Sequence, residues 1–175
     1  MARRPRDVEW TGARYADKPT VEVRTWIDAT PDRVWALVSD IAVMPTMSEE
    51  LQSVEWLDGA EGPAVGARFL GRSRHDSFGE WSTTSHVIEC EPGHVLAWAV
   101  EDPTDPSAVW RFRLRPQDGG TELSEWMQLG PGRSGLSFAI DTMPDKEQKI
   151  VFVRLREFER SITSTLEQIK QRAEA

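Results

Sequence analysis

The sequence predicts an α+β fold in which a curved, seven-stranded antiparallel sheet wraps a long C-terminal helix, with two short helices after the first strand. Three observations carry this reading. One long apolar stripe at helical spacing closes the chain. Seven upstream segments read as strands, most of them alternating in polarity with a period of two. Six of those segments follow one another with only turn-rich punctuation between them, which implies antiparallel pairing. One sheet and one long helix have a single economical solution: the sheet curls and the helix packs in its concavity.

The first strand is 21-VEVRTWI-27, where Val21, Val23, Thr25 and Ile27 oppose Glu22, Arg24 and Trp26. In 30-TPDRVWALVSDI-41, Thr30 can cap a helix, Pro31 suits its first position and Asp32 favours its positive end. A second short helix is expected near Pro45 to Glu50. Strands are then expected at 51–58, 66–74, 80–90, 94–101, 108–115 and 121–129, parted by 59-GAEGPAVG-66, 75-HDSFG-79, 91-EPG-93, 102-DPTDP-106 and 116-PQDGG-120. The last helix runs from about Asp145 to Arg172, and Val151, Leu155, Phe158, Ile162, Leu166 and Ile169 form its stripe.

At 175 residues and 39% hydrophobic, the chain makes one domain with a real core, expected over 21–175. Residues 1–20 form an N-terminal arm, expected to be partly disordered, with Arg3, Arg4 and Arg6 leading five basic against three acidic side chains. The net charge of -8 argues against a general nucleic-acid partner. No apolar run approaches the roughly 18 residues of a membrane span, and MARRPR leads into no signal-type apolar segment. Cys90 is the only cysteine, so a cytoplasmic protein is expected, as monomer or homodimer. The lack of Asn and the excess of Arg over Lys suit a GC-rich, bacterial genome.

The segments IDATPDRVWALVSDI (27–41), GPAVGARFLGR (62–72), VIECEPGHVLAW (87–98) and WRFRLRPQDGGTELSE (110–125), followed by the amphipathic helix, resemble the START-like, or helix-grip, superfamily. Within it the likeness is to the polyketide cyclase/dehydrase and lipid-transport group, over roughly residues 21 to 170. The resemblance implies a cavity between sheet and C-terminal helix for a hydrophobic small molecule, with no cofactor. Relatives range from ring-closing enzymes to passive carriers, so fold alone does not decide between them. The chain departs from the group pattern at Met47, where many relatives carry Trp, and at Ser73, where many carry Asn. Aromatase-type relatives use a Tyr and an Arg in the cavity, whereas the only Tyr here is Tyr15, upstream of the fold.

Alternation assigns the concave face. Arg68, Arg72 and Arg74 require water, so Phe69 and Ser73 face in; Trp81, Thr83 and Ser85 follow on the next strand. Leu96, Trp98 and Val100, then Trp110, Phe112 and Leu114, extend the surface, and Met127 ends it. Flat apolar walls with a few polar atoms suit a small-molecule pocket. Met47 in the second short helix is a further candidate ligand-binding residue, and Phe138, Ile140 and Met143 in the connection before the last helix either cap the pocket or tuck under the helix.

The strand 120-GTELSEWMQLGP-131 puts Glu125 on the inward face between Leu123 and Met127, and shifting the register would turn both outward. Burying a carboxylate costs several kcal/mol unless it is paired. Three readings stay open: a structural pair with a buried Arg, a group orienting a ligand hydroxyl or amine, or a general acid or base. The last would serve aldol cyclisation or dehydration, with Ser73, Thr83 and Ser85 orienting oxygens. The alternatives of another class are a non-catalytic carrier or sensor of a lipid-like ligand, and a protein-interaction module with a closed core.

The segment 130-GPGRSG-135 matches a dinucleotide-loop pattern only weakly, since no helix is expected to open on it and no βαβ unit surrounds it. His75, His86 and His94 lack metal-ligand spacing, and no metal is expected. His75 and Asp76 read as solvated turn residues.

Overall fold

A computed structural model describes residues 8–175; the arginines at 3, 4 and 6 lie outside the described residues. Strand β1 (Thr20–Ile27) leads to helix α1 (Pro31–Val38) and a 3-10 turn (Ile41–Met47). Strands β2 (Leu51–Trp56), β3 (Arg68–His75), β4 (Gly79–Glu91), β5 (Val95–Val100), β6 (Ala108–Gln117) and β7 (Gly120–Leu129) follow. Helices α2 (Gly135–Thr142) and α3 (Glu147–Glu174) complete the chain.

Among the described residues the strands form one antiparallel sheet in the order β1-β7-β6-β5-β4-β3-β2. Successive hairpins build it from β2 to β7, and β1 then returns to the β7 edge, pairing Val23 with Glu125. The sheet wraps α3, which packs on β1 and β7 and touches α1 and α2. Val151, Leu155, Ile162, Leu166 and Ile169 are buried along α3, while Phe158, on the same stripe, is half-buried. Thr30 Oγ1 accepts from the Arg33 N–H at 3.3 Å, capping α1.

Two stretches differ from the sequence reading. Where a loop was expected before the last helix, 135–142 is helical: Ser134 ends the extended chain, and its N–H donates to Ser137 Oγ at 3.0 Å. A helix therefore does open after 130-GPGRSG-135, although the surrounding sheet is antiparallel and no βαβ unit is formed. The second short helix lies earlier than 45–50, because Asp40 Oδ1 caps the turn by accepting from the Ala42 N–H at 3.0 Å.

Residues 8–19, set apart as arm in the sequence reading, lie against the domain. Trp10 meets Phe152 of α3 edge-on at 5.3 Å, and Gln148 Nε2 donates to the Gly12 carbonyl at 2.8 Å. The Tyr15 hydroxyl donates to the Gly132 carbonyl and also lies 3.1 Å from Ser134 Oγ.

Leu166 is 1% exposed where α3 meets the core. Replacing it by Ala should cost about 3 kcal/mol of stability through lost burial and the void left behind, measured as a shift in the urea unfolding midpoint.

Candidate functional site

The helix covers only part of the concave face. Over β3 to β6 the remaining space is a cavity of about 540 Å³, bounded by α3 and α1, the 41–47 turn and the start of α2. That size lies within the usual range for small-molecule sites, and it is not the closed core of an interaction module. Its walls follow strand alternation: Phe69 and Ser73 on β3, Trp81, Thr83 and Ser85 on β4, Trp98 on β5, Trp110 and Phe112 on β6. Met47 reaches in from the turn, and Phe138 borders the space from α2 while remaining 72% exposed.

The rings brace one another. Phe69 meets Trp56 at 5.6 Å and Trp98 at 5.9 Å, and Trp98 meets Phe112 at 6.0 Å. Trp110 meets Phe158 of α3 edge-on at 5.4 Å, joining sheet to helix. Such contacts contribute about 0.5–1.5 kcal/mol each beyond area burial, so the rings of the wall support one another.

Two residues expected at the cavity are not on its wall. Met127 points inward but is fully buried in the apolar core, because alternation fixes a face and not what lies beyond it. Met143 ends α2 and is 44% exposed. It lies just past the helix, with a non-helical backbone, and does not line the cavity that Phe138 borders.

Glu125 does line the cavity, across from Phe112 on β6 and Val23 on β1. It is 6% exposed, and its Oε2 has no hydrogen-bond partner among the described residues. The buried arginine required by the ion-pair reading exists, but it is engaged elsewhere. Arg154 on α3 donates to both oxygens of Glu50, at 2.8 and 2.9 Å, and lies 3.4 Å from Glu157. Its guanidinium sits over the rings of Phe158 and Phe78, at 4.2 and 5.2 Å. Loss of water around Glu125 without a compensating charge pushes its carboxyl up to about 8. It is therefore mainly a neutral acid at pH 7.

Beside Arg154, His75 corrects its reading as a solvated turn residue. Its Nδ1 accepts from the Ser77 N–H at 2.9 Å, which leaves Nε2–H to donate to Glu157 at 2.6 Å. Glu50, His75 and Glu157 cluster closely enough to face a cation, but Arg154 already bonds to both carboxylates. The sequence reading missed Arg154 and Glu50. The signal was present, since Arg154 lies three residues after Val151 and four before Phe158, on the stripe that faces the sheet.

An internal, ligand-sized cavity between a gripping sheet and a C-terminal helix defines a helix-grip protein. The chain belongs to the family described as polyketide cyclase/dehydrase and lipid transport, whose model matches residues 18–174. It is similar to a Polyketide_cyc-like protein of Corynebacterium glutamicum, at 33% identity over 86% of this chain and 88% of that one, with a TM-score of 0.63. Its fold also resembles a Deinococcus radiodurans protein at 18% identity, covering 89% and 98% of the two chains, with a TM-score of 0.60. A third likeness is the di-domain ARO/CYC protein StfQ of the steffimycin biosynthetic pathway, at 13% identity and a TM-score of 0.69. That match takes in 89% of this chain and 50% of StfQ. Among curated proteins, none matches by sequence.

The raised pKa of Glu125 has a stability consequence with a definite sign. An unfolded chain loses this proton near the ordinary value of 4.5, whereas the folded one holds it to about 8. Between those values the unfolded state binds fewer protons, so stability falls as pH rises, by roughly 3 kcal/mol at pH 7. Glu125→Gln keeps the shape and removes the titration. Urea unfolding should show the variant more stable than the parent at pH 8, with the difference closing below about pH 5. A difference independent of pH would mean that the carboxyl titrates normally.

Proposed function

We propose that the cavity binds a flat, polycyclic hydrophobic molecule and that Glu125 acts on one of its oxygens as a general acid. The observation that carries the reading is the unpartnered Oε2 of Glu125, protonated at neutral pH and facing the cavity. In aldol-type ring closure, Glu125 would give its proton to the carbonyl oxygen as the new C–C bond forms, and its carboxylate would take up the proton released by the enol nucleophile, which returns the acid form. In the following dehydration it would protonate the departing hydroxyl, and the carboxylate would be restored by taking the proton lost from the adjacent carbon, releasing water. Ser73, Thr83 and Ser85 stand on adjoining strands where their hydroxyls can orient further oxygens. The family membership supports this class of ligand, and no cofactor enters the scheme.

The same cavity supports a second reading, a carrier or sensor that returns a lipid-like ligand unchanged. The observation favouring it is that Glu125 has no hydrogen-bonded neighbour among the described residues through which to renew its proton. In either reading the protein works in a bacterial cytoplasm, as monomer or homodimer and without a nucleic-acid partner. The net charge of -8 supports the lack of a nucleic-acid partner; among the described residues no helix is long and apolar enough to cross a membrane.

A tryptophan-fluorescence titration with polycyclic phenols and with straight-chain lipids separates ligand classes, since Trp81, Trp98 and Trp110 line the space. Saturable quenching by the flat compounds is expected; no saturation by either class would sink the proposal. Glu125→Gln should keep affinity within about threefold while lowering cyclisation of a poly-β-ketone by roughly 10²–10⁴. Unchanged turnover, or none in the parent, would leave the carrier reading.

A further inference from the structure

The sheet has a second feature on its opposite face. Outward residues of β6, β7 and β1 surround a depression of about 430 Å³. Its floor is Ser124, short among long neighbours. In register, Arg113 of β6 and Arg24 of β1 flank Ser124 on either side, with backbones roughly 10 Å apart across two strand spacings. Arg111 and Arg115 stand one pleat above and below Arg113 on the same face.

The charges there do not balance. Glu22 pairs with Arg24, Glu122 with Arg115 at 3.0 Å, and Glu89 with Arg111 at 2.7 Å. Arg113 is exposed and has no counter-charge among the described residues. Four arginines against three glutamates leave one positive charge at the centre, in a chain whose net charge is -8. Neighbouring like charges on one sheet face repel, and nothing in the packing demands this set, because exposed strand positions accept neutral residues. Trp126 adds order: the Arg111 guanidinium lies 4.8 Å above its ring, which fixes one wall of the depression.

We infer that this outer groove binds a phosphate-type anion, seated over Ser124 between Arg113 and Arg24. Guanidinium forks present paired N–H donors that match a tetrahedral oxyanion, and the Ser124 hydroxyl supplies a further donor beneath it. The groove lies across the sheet from the cavity and shares none of its lining residues.

Calorimetric titration at low ionic strength with inorganic phosphate, and separately with glycerol phosphate, tests this. One-to-one saturation is expected, weakened about tenfold or more in Arg113→Gln and unchanged in Arg74→Gln, an exposed arginine on β3 outside the groove. Tighter binding of the ester would identify a phosphorylated metabolite as the occupant, and equal binding the free anion. No saturation, or equal weakening in both variants, would overturn the site.

Discussion

One helix has to cover a sheet wider than itself, and the molecule is organised around that mismatch. Helix α3 has 28 residues, roughly 40 Å of length but only about 10 Å of width. Seven strands span roughly 30 Å. The helix seats on β1 and β7, and the sheet must curl to bring its far strands back toward it. Curling cannot close the gap over β3 to β6, so the remaining space becomes the cavity.

Large rings line that space without filling it. The aromatic contacts hold Trp98, Phe69 and Phe112 against one another. Glu125 carries a cost at neutral pH. A neutral side chain of the same shape would avoid the penalty of holding a proton that the unfolded chain releases. Packing alone does not account for a carboxyl at this position.

The sequence exposed the fold because each element carries its own period. Arginines alternate with apolar residues on β6, so Trp110 and Phe112 could be assigned to the concave face from the pattern alone. The stripe from Val151 to Ile169 marked α3 just as plainly. Glu125 was legible because a register shift would have expelled Leu123 and Met127. What alternation cannot report is the distance to the next layer, and so Met127 proved to be core while Phe112 is wall. Helix α2 escaped because its eight residues follow a Gly- and Pro-rich loop and carry no charged stripe. The Arg154–Glu50 pair, 104 residues apart, is tertiary information that no local pattern holds.

Strand β7 shows how one segment serves two electrostatic environments. Glu125 points into a largely apolar cavity, while Ser124 and Trp126 point to the outer face among arginines. Four guanidinium groups a few ångströms of backbone away would be expected to draw the proton off a carboxyl. They do not, because three are answered by glutamates and the set lies on the outer face of the sheet, where charge is screened. Desolvation by burial is then the dominant cause of the raised pKa of Glu125. The pleat thus lets a neutral acid and a cationic surface stand on adjacent residues of one strand, each governed by the medium it faces.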